Sequence, residues 1–134
     1  MSGYVSNIEE LTLKNGYFRQ VLFTGPHSQL VLMCLKPGEE IGAEVHDNVD
    51  QFFRIEQGEG KVVFGESEEY PLANGSAIVV PAGTKHNIIN VSLTAELKLY
   101  TIYSPPNHPD GTVHQTKTDA LRAEAEEAPK PESL

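Results

Sequence analysis

Four residues of this 134-residue chain have the types and spacing to hold a metal ion: Glu44, His46, Gln51 and His86. Glu44 and His46 are two apart, so on an extended strand both side chains leave the same face. Alone, that pair reads as an exposed carboxylate–imidazole contact. Gln51 opens the run Gln51-Phe52-Phe53-Arg54-Ile55. If Phe53 and Ile55 face a core, the Gln51 amide does too, and a buried amide must be satisfied by a hydrogen bond or by a cation. His86 follows the turn Pro81-Ala82-Gly83-Thr84-Lys85, where a lone histidine is more often structural. Converging inside an apolar barrel, these imidazole, carboxylate and amide donors suit one divalent Mn, Fe, Co, Ni or Zn ion. No thiolate joins them, which argues against a structural zinc knot.

Two further groups carry chemical potential. His108, Asp110 and His114 fall close together in the loop 104–114, which proline and glycine mark as a rigid connector. The favoured reading is a solvated loop packed on the barrel. The sharper one makes it a rim in which His108 or His114 moves a proton. Cys34, the single cysteine, lies in Leu30-Val31-Leu32-Met33-Cys34-Leu35 and reads as a buried small hydrophobe; Lys36 is the only cation near it in sequence.

The elements that must position these residues are strands. Segments 17–24, 29–35, 51–57, 61–64, 77–80, 86–91 and 96–103 are mostly rich in β-branched, aromatic and Leu residues. Gly25-Pro26, Lys36-Pro37-Gly38, Gly58-Glu59-Gly60, Gly65-Glu66-Ser67, Ala73-Asn74-Gly75 and Pro81-Ala82-Gly83 separate them. Such punctuation, about every 8–12 residues, predicts an all-β antiparallel barrel or sandwich. Asn7-Ile8-Glu9-Glu10 reads as a short helix or turn. Thr118-Asp119 reads as the cap of a short C-terminal helix through Glu126, with few apolar residues to dock it. We expect one domain over 1–127 and a disordered tail over 128–134.

Composition narrows the partners. A formal net charge of -9 repels nucleic acid and anionic membrane surfaces, and no Lys/Arg cluster offers a local exception. No apolar run approaches the ~20 residues that span a bilayer, and the N-terminus lacks a secretion signal. A cytoplasmic protein with a small-molecule substrate is the expectation, and one cysteine suits that compartment.

The spacing of these residues resembles the cupin superfamily. The first cupin motif is G-x5-H-x-H-x3,4-E-x6-G, and Gly38, Glu44, His46, Gln51 and Gly58 fall in its register. The second is G-x5-P-x-G-x2-H-x3-N; Gly75, Pro81, Gly83, His86 and Asn90 match every position. The resemblance, over residues 38–90, implies a single β-barrel or jelly roll of the small single-domain type grouped with mannose-6-phosphate isomerase-like proteins. It also implies one metal ion at the positions of Glu44, His46, Gln51 and His86. Two departures stand out: Glu44 replaces the first His, and Gln51 replaces the Glu, so one carboxylate remains but has moved. Some sugar-handling cupins are similar in having Gln at that slot.

The resulting expectation is metal-assisted isomerisation of a small oxygenated, sugar or sugar-acid-like substrate, with Glu44 as ligand or proton carrier. An Fe-dependent dioxygenase and a non-catalytic ligand-binding barrel are the alternatives. Similar cupins pair as homodimers through N-terminal strands, and Tyr17–Phe23 has the apolar content for it; ordinary barrel core would explain that content equally.

Overall fold

The chain, described over residues 2–127 in a computed structural model, is mostly antiparallel β. Helix α1 (Ile8–Lys14) precedes strands β1 (Arg19–Thr24), β2 (Gln29–Leu35), β3 (Asp50–Gln57), β4 (Gly60–Phe64), β5 (Glu68–Leu72), β6 (Ala77–Val80), β7 (His86–Asn90), β8 (Leu97–Ser104) and β9 (Val113–His114). Helix α2 (Lys117–Glu127) follows. A six-stranded sheet in the order β6-β3-β8-β2-β1-β9 faces a three-stranded sheet in the order β5-β4-β7. The expected barrel is therefore a jelly roll of two sheets rather than a closed ring of hydrogen bonds.

Strand alternation decides what lies between the sheets. Register across β6, β3, β8 and β2 aligns Ile78, Phe53, Thr101 and Val31, and Val21 of β1 pairs with Val31. All five are buried. The next inward row toward one end is Val80, Gln51, Tyr103 and Gln29, also buried. One end of the core is thus apolar and the other carries amide and phenol groups.

The outer face of the larger sheet is covered by α1, which packs on β2, β3 and β8. Asn7 caps it, its side-chain oxygen accepting from Glu10 N at 3.0 Å. Cys34 is buried, and burial pushes its thiol up to about 11, the reverse of a reactive cysteine. Lys98, opposite Cys34 on β8, is a nearby cation that sequence distance concealed.

Three expectations are corrected. Strand β5 was not anticipated: Glu68, Glu69, Tyr70 and Pro71 are all exposed, so it lacks an apolar alternation. The C-terminal helix begins one turn earlier than expected. Thr116 caps it, with Asp119 N donating to Thr116 Oγ1 (3.1 Å) and Thr116 N donating to Asp119 Oδ2 (3.3 Å), a reciprocal capping box. It also docks, because Ala120 is buried in the core. Glu44-Val45-His46 belongs to no regular strand; it is an extended segment with one bridge, Glu44 to His86. The expected tail, 128–134, lies outside the described residues. No helix among the described residues is long and apolar enough to cross a membrane.

Candidate metal centre

The two motif segments are joined through their backbones. Glu44 N donates to His86 O and His86 N donates to Glu44 O, each at 2.9 Å, and Gly83 N donates to His46 O at 2.8 Å. Gly83 has φ +84°, a conformation natural to glycine, which lets the turn before His86 present its N–H to the first motif. Asn90, at the far end of β7, braces the fold. Its amide nitrogen lies 2.9–3.1 Å from the carbonyls of Leu35, Lys36 and Ala95, and its oxygen accepts from Ser92 N.

This backbone frame brings Glu44, His46 and His86 together, with potential ligand atoms all within 4.8 Å of one another. Gln51 faces inward from β3, 2% exposed. His46 Nε2, His86 Nε2 and Gln51 Oε1 are buried without a hydrogen-bond partner. Leaving such atoms unsatisfied costs about 1–3 kcal/mol each, and three in the matched ligand positions form a set of lone pairs that a cation would satisfy. His46 Nε2 lies 3.5 Å from Glu44 Oε1, at the outer limit of hydrogen-bond reach, and makes no hydrogen bond there.

Neighbouring groups orient these atoms. His86 Nδ1 lies 3.0 Å from Thr84 O. A carbonyl only accepts, so Nδ1 carries a proton and Nε2 is the ring atom left to face the site. Gln51 Nε2 donates to Thr101 Oγ1 at 3.0 Å, which directs Oε1 the other way. Burial pushes the Glu44 carboxyl up, but the adjacent His46, with the Arg19 and His86 charges, outweighs burial and holds it below the usual carboxylate value. Glu44 is thus an anion, as either a ligand or a proton acceptor requires. These residues fit a divalent ion of the borderline class.

Beyond the four lies a second tier. Tyr103 is buried beside Gln51 on the adjacent strand, and its ring meets His46 edge-on at 6.1 Å. Burial holds its hydroxyl well above the ordinary phenol value, so it stays protonated. The hydroxyl lies 3.1 Å from His108 Nε2. Burial, reinforced by Arg19, pulls His108 down to about 3, so the ring is neutral and accepts from Tyr103. Gln29 pins this loop: its amide nitrogen donates to His108 O, and its oxygen accepts from the backbone of Asn107 and His108.

Of the other loop residues, His114 reaches Arg19 (Nδ1 to Nη1, 3.2 Å), while Asp110 is exposed and is not among the clustered ligand residues. Sequence reasoning missed Arg19, Gln29, Thr101 and Tyr103. Their signal was polar residues in the inward phase of apolar strands, as in Leu97, Leu99, Thr101, Tyr103.

Residues 31–103, more than half the chain and including all four candidate ligands, match the Cupin domain family. The chain belongs to the cupin family. YrkC, an uncharacterized protein of Bacillus subtilis (strain 168), is 56% identical over 126 residues, covering 90% of this chain and 67% of that one. A relative from Acanthamoeba polyphaga mimivirus is 53% identical over 112 residues, 82% of this chain and 70% of the other. The crystal structure of BH2720 from Bacillus halodurans superposes with a TM-score of 0.86 at 45% identity, covering 89% of this chain and 93% of that one. KdgF from Halomonas sp. is more distant: TM-score 0.60 and 25% identity, over 66% of this cupin and 78% of KdgF.

Proposed function

We propose that this cupin is a metal-dependent enzyme acting on a small oxygenated, sugar or sugar-acid-like substrate by isomerisation. Glu44, His46, Gln51 and His86 would hold one divalent ion. The observation that carries this reading is the set of three unpartnered buried atoms, His46 Nε2, His86 Nε2 and Gln51 Oε1, beside an anionic Glu44. When bound, the ion supplies Lewis-acid polarisation of carbonyl and hydroxyl oxygens. The protein's own part is to hold the substrate beside these residues and to move a proton.

Glu44, ionised and part exposed, is the candidate carrier between neighbouring carbons. His108, neutral and bonded to Tyr103, is a second candidate, and His114 a third. Homodimerisation in the cytoplasm belongs to the same proposal; Phe18 and Val21 are spent on the core, so a dimer would use other faces.

The test is solvent deuterium incorporation at carbon beside the carbonyl, followed by NMR, across a panel of aldoses, ketoses and uronates with Mn²⁺, Ni²⁺ or Zn²⁺. Exchange that disappears in Glu44→Gln is expected; no exchange with any metal sinks the reading. A dioxygenase stays in view because one carboxylate and two imidazoles also suit Fe(II). Substrate-dependent oxygen uptake by the Fe(II) protein would favour it. A non-catalytic ligand-binding barrel would show ligand affinity with neither activity.

A further inference from the structure

Arg19 is 1% exposed, among the most deeply buried large side chains of the protein, and lies on the inward face of β1 with Val21. Withdrawing a guanidinium from water costs several kcal/mol unless its donors are matched, and here the match is incomplete. Nη1 reaches His114 Nδ1 at 3.2 Å and Glu124 Oε2 of α2 at 3.3 Å, and the Phe18 ring centroid lies 5.3 Å from the guanidinium carbon. Nε is buried with no hydrogen-bond partner. The Glu124 contact is single and longer than the ~2.7–2.9 Å of a strong charge-assisted bond, whereas arginine pairs best with a carboxylate through two parallel N–H groups. Glu124 is itself nearly half exposed, so water competes for it. Among the described residues no other carboxylate pairs with Arg19.

Through His114, Arg19 also adjoins the loop that carries His108. The guanidinium charge acts on Glu44, Tyr103 and His108. A permanent, incompletely paired cation buried in the interior favours an anionic guest over a neutral one.

We propose that Arg19 is an anion anchor within the jelly roll, taking a carboxylate of the bound small molecule in place of the Glu124 carboxylate. The inference deepens the reading that the barrel admits a small oxygenated ligand, and rests on it. It selects acids over neutral sugars. Glu124 acts as a stand-in whose release frees the donor edge of Arg19.

Glycolate and its neutral counterpart glycolamide are the probes, titrated by calorimetry into the full chain, metal-free and Mn²⁺-loaded. The Arg19 Nε–H resonance is followed in parallel by NMR. Glu124→Gln removes the competing carboxylate without emptying the core, and is expected to tighten glycolate at least fivefold. Arg19→Lys keeps the charge but not the paired donors, and is expected to weaken it at least tenfold. Glycolamide should not move the Nε–H signal. A purely structural Arg19–Glu124 pair predicts that Glu124→Gln lowers the melting temperature and leaves glycolate affinity unchanged; that result overturns the proposal. So does the absence of glycolate binding to all three proteins in both metal states. Mn²⁺ affinity measured on the same samples keeps the two readings apart: lost metal binding with Arg19-dependent glycolate binding defeats the metal reading alone, and the converse defeats the anchor alone.

Discussion

Glu44 and His86 exchange both backbone hydrogen bonds across an isolated bridge between the 44–46 segment and β7. The forty-one residues between them, 45–85, are thereby closed into a loop whose two ends present side chains to one point. The approach of these two segments is set by main chain, while the neighbouring Thr84 carbonyl and Thr101 hydroxyl orient the His86 and Gln51 side chains. Mutating one ligand should therefore leave its neighbours in place, which makes single substitutions informative.

Removal of one imidazole should weaken divalent metal binding by about 100-fold or more, exceeding the ~10–100-fold typical of outer-shell changes. His86→Ala and His46→Ala, measured by elemental analysis and competition with a chelator, check this. In the wild type, metal at 100 times its Kd should add about 2.7 kcal/mol of stability. A melting temperature indifferent to chelator would contradict the assignment.

Thr101 holds the Gln51 amide in one orientation. Thr101→Val keeps the shape but removes the acceptor, leaving a buried donor at a cost of about 1–3 kcal/mol. Metal affinity should fall by about 10-fold as the amide gains freedom to flip. Gln51→Glu should do the opposite for affinity, since it adds a charged oxygen. Denaturant unfolding and metal titration of both variants separate the two effects.

Gly83 occupies φ +84° in open space, so an added Cβ meets no atom and the penalty is conformational. Gly83→Ala should cost about 1–2 kcal/mol and loosen the bond to His46 O. A variant as stable as the parent, with unchanged metal affinity, would show that this turn does not hold the site.

The His108 ring gives stability a defined pH dependence. Its folded value, about 3, lies below the ordinary 6.5. Between those values the unfolded chain binds the extra proton, so this group's contribution is lost as pH falls from about 6.5 toward 3. His108→Gln should flatten that part of the acid limb in thermal melts taken from pH 7.5 to pH 4.5. An identical slope in parent and variant would remove His108 as its source.

Most of the fold was legible along the chain because its strands bury one face. β2 and β6 fell at their observed limits, and β3, β4, β7 and β8 within one residue, since apolar residues alternate there between clear turn signals. β5 was illegible for the converse reason: an edge strand with four exposed residues carries no burial pattern. The four candidate ligands were legible because their spacing is tied to the turns that glycine and proline mark.

What residue order determined by itself was thus the strand rhythm and the two motif segments, both local properties of period and turn chemistry. Only the tertiary structure decided which polar atoms lack partners, because that depends on everything packed around them. It alone shows His46 Nε2, His86 Nε2 and Gln51 Oε1 unpartnered together, and Arg19, ninety-five residues from His114, buried with a free Nε. Those facts arise from long-range pairing of β1 with β9 and docking of α2, which no local pattern encodes.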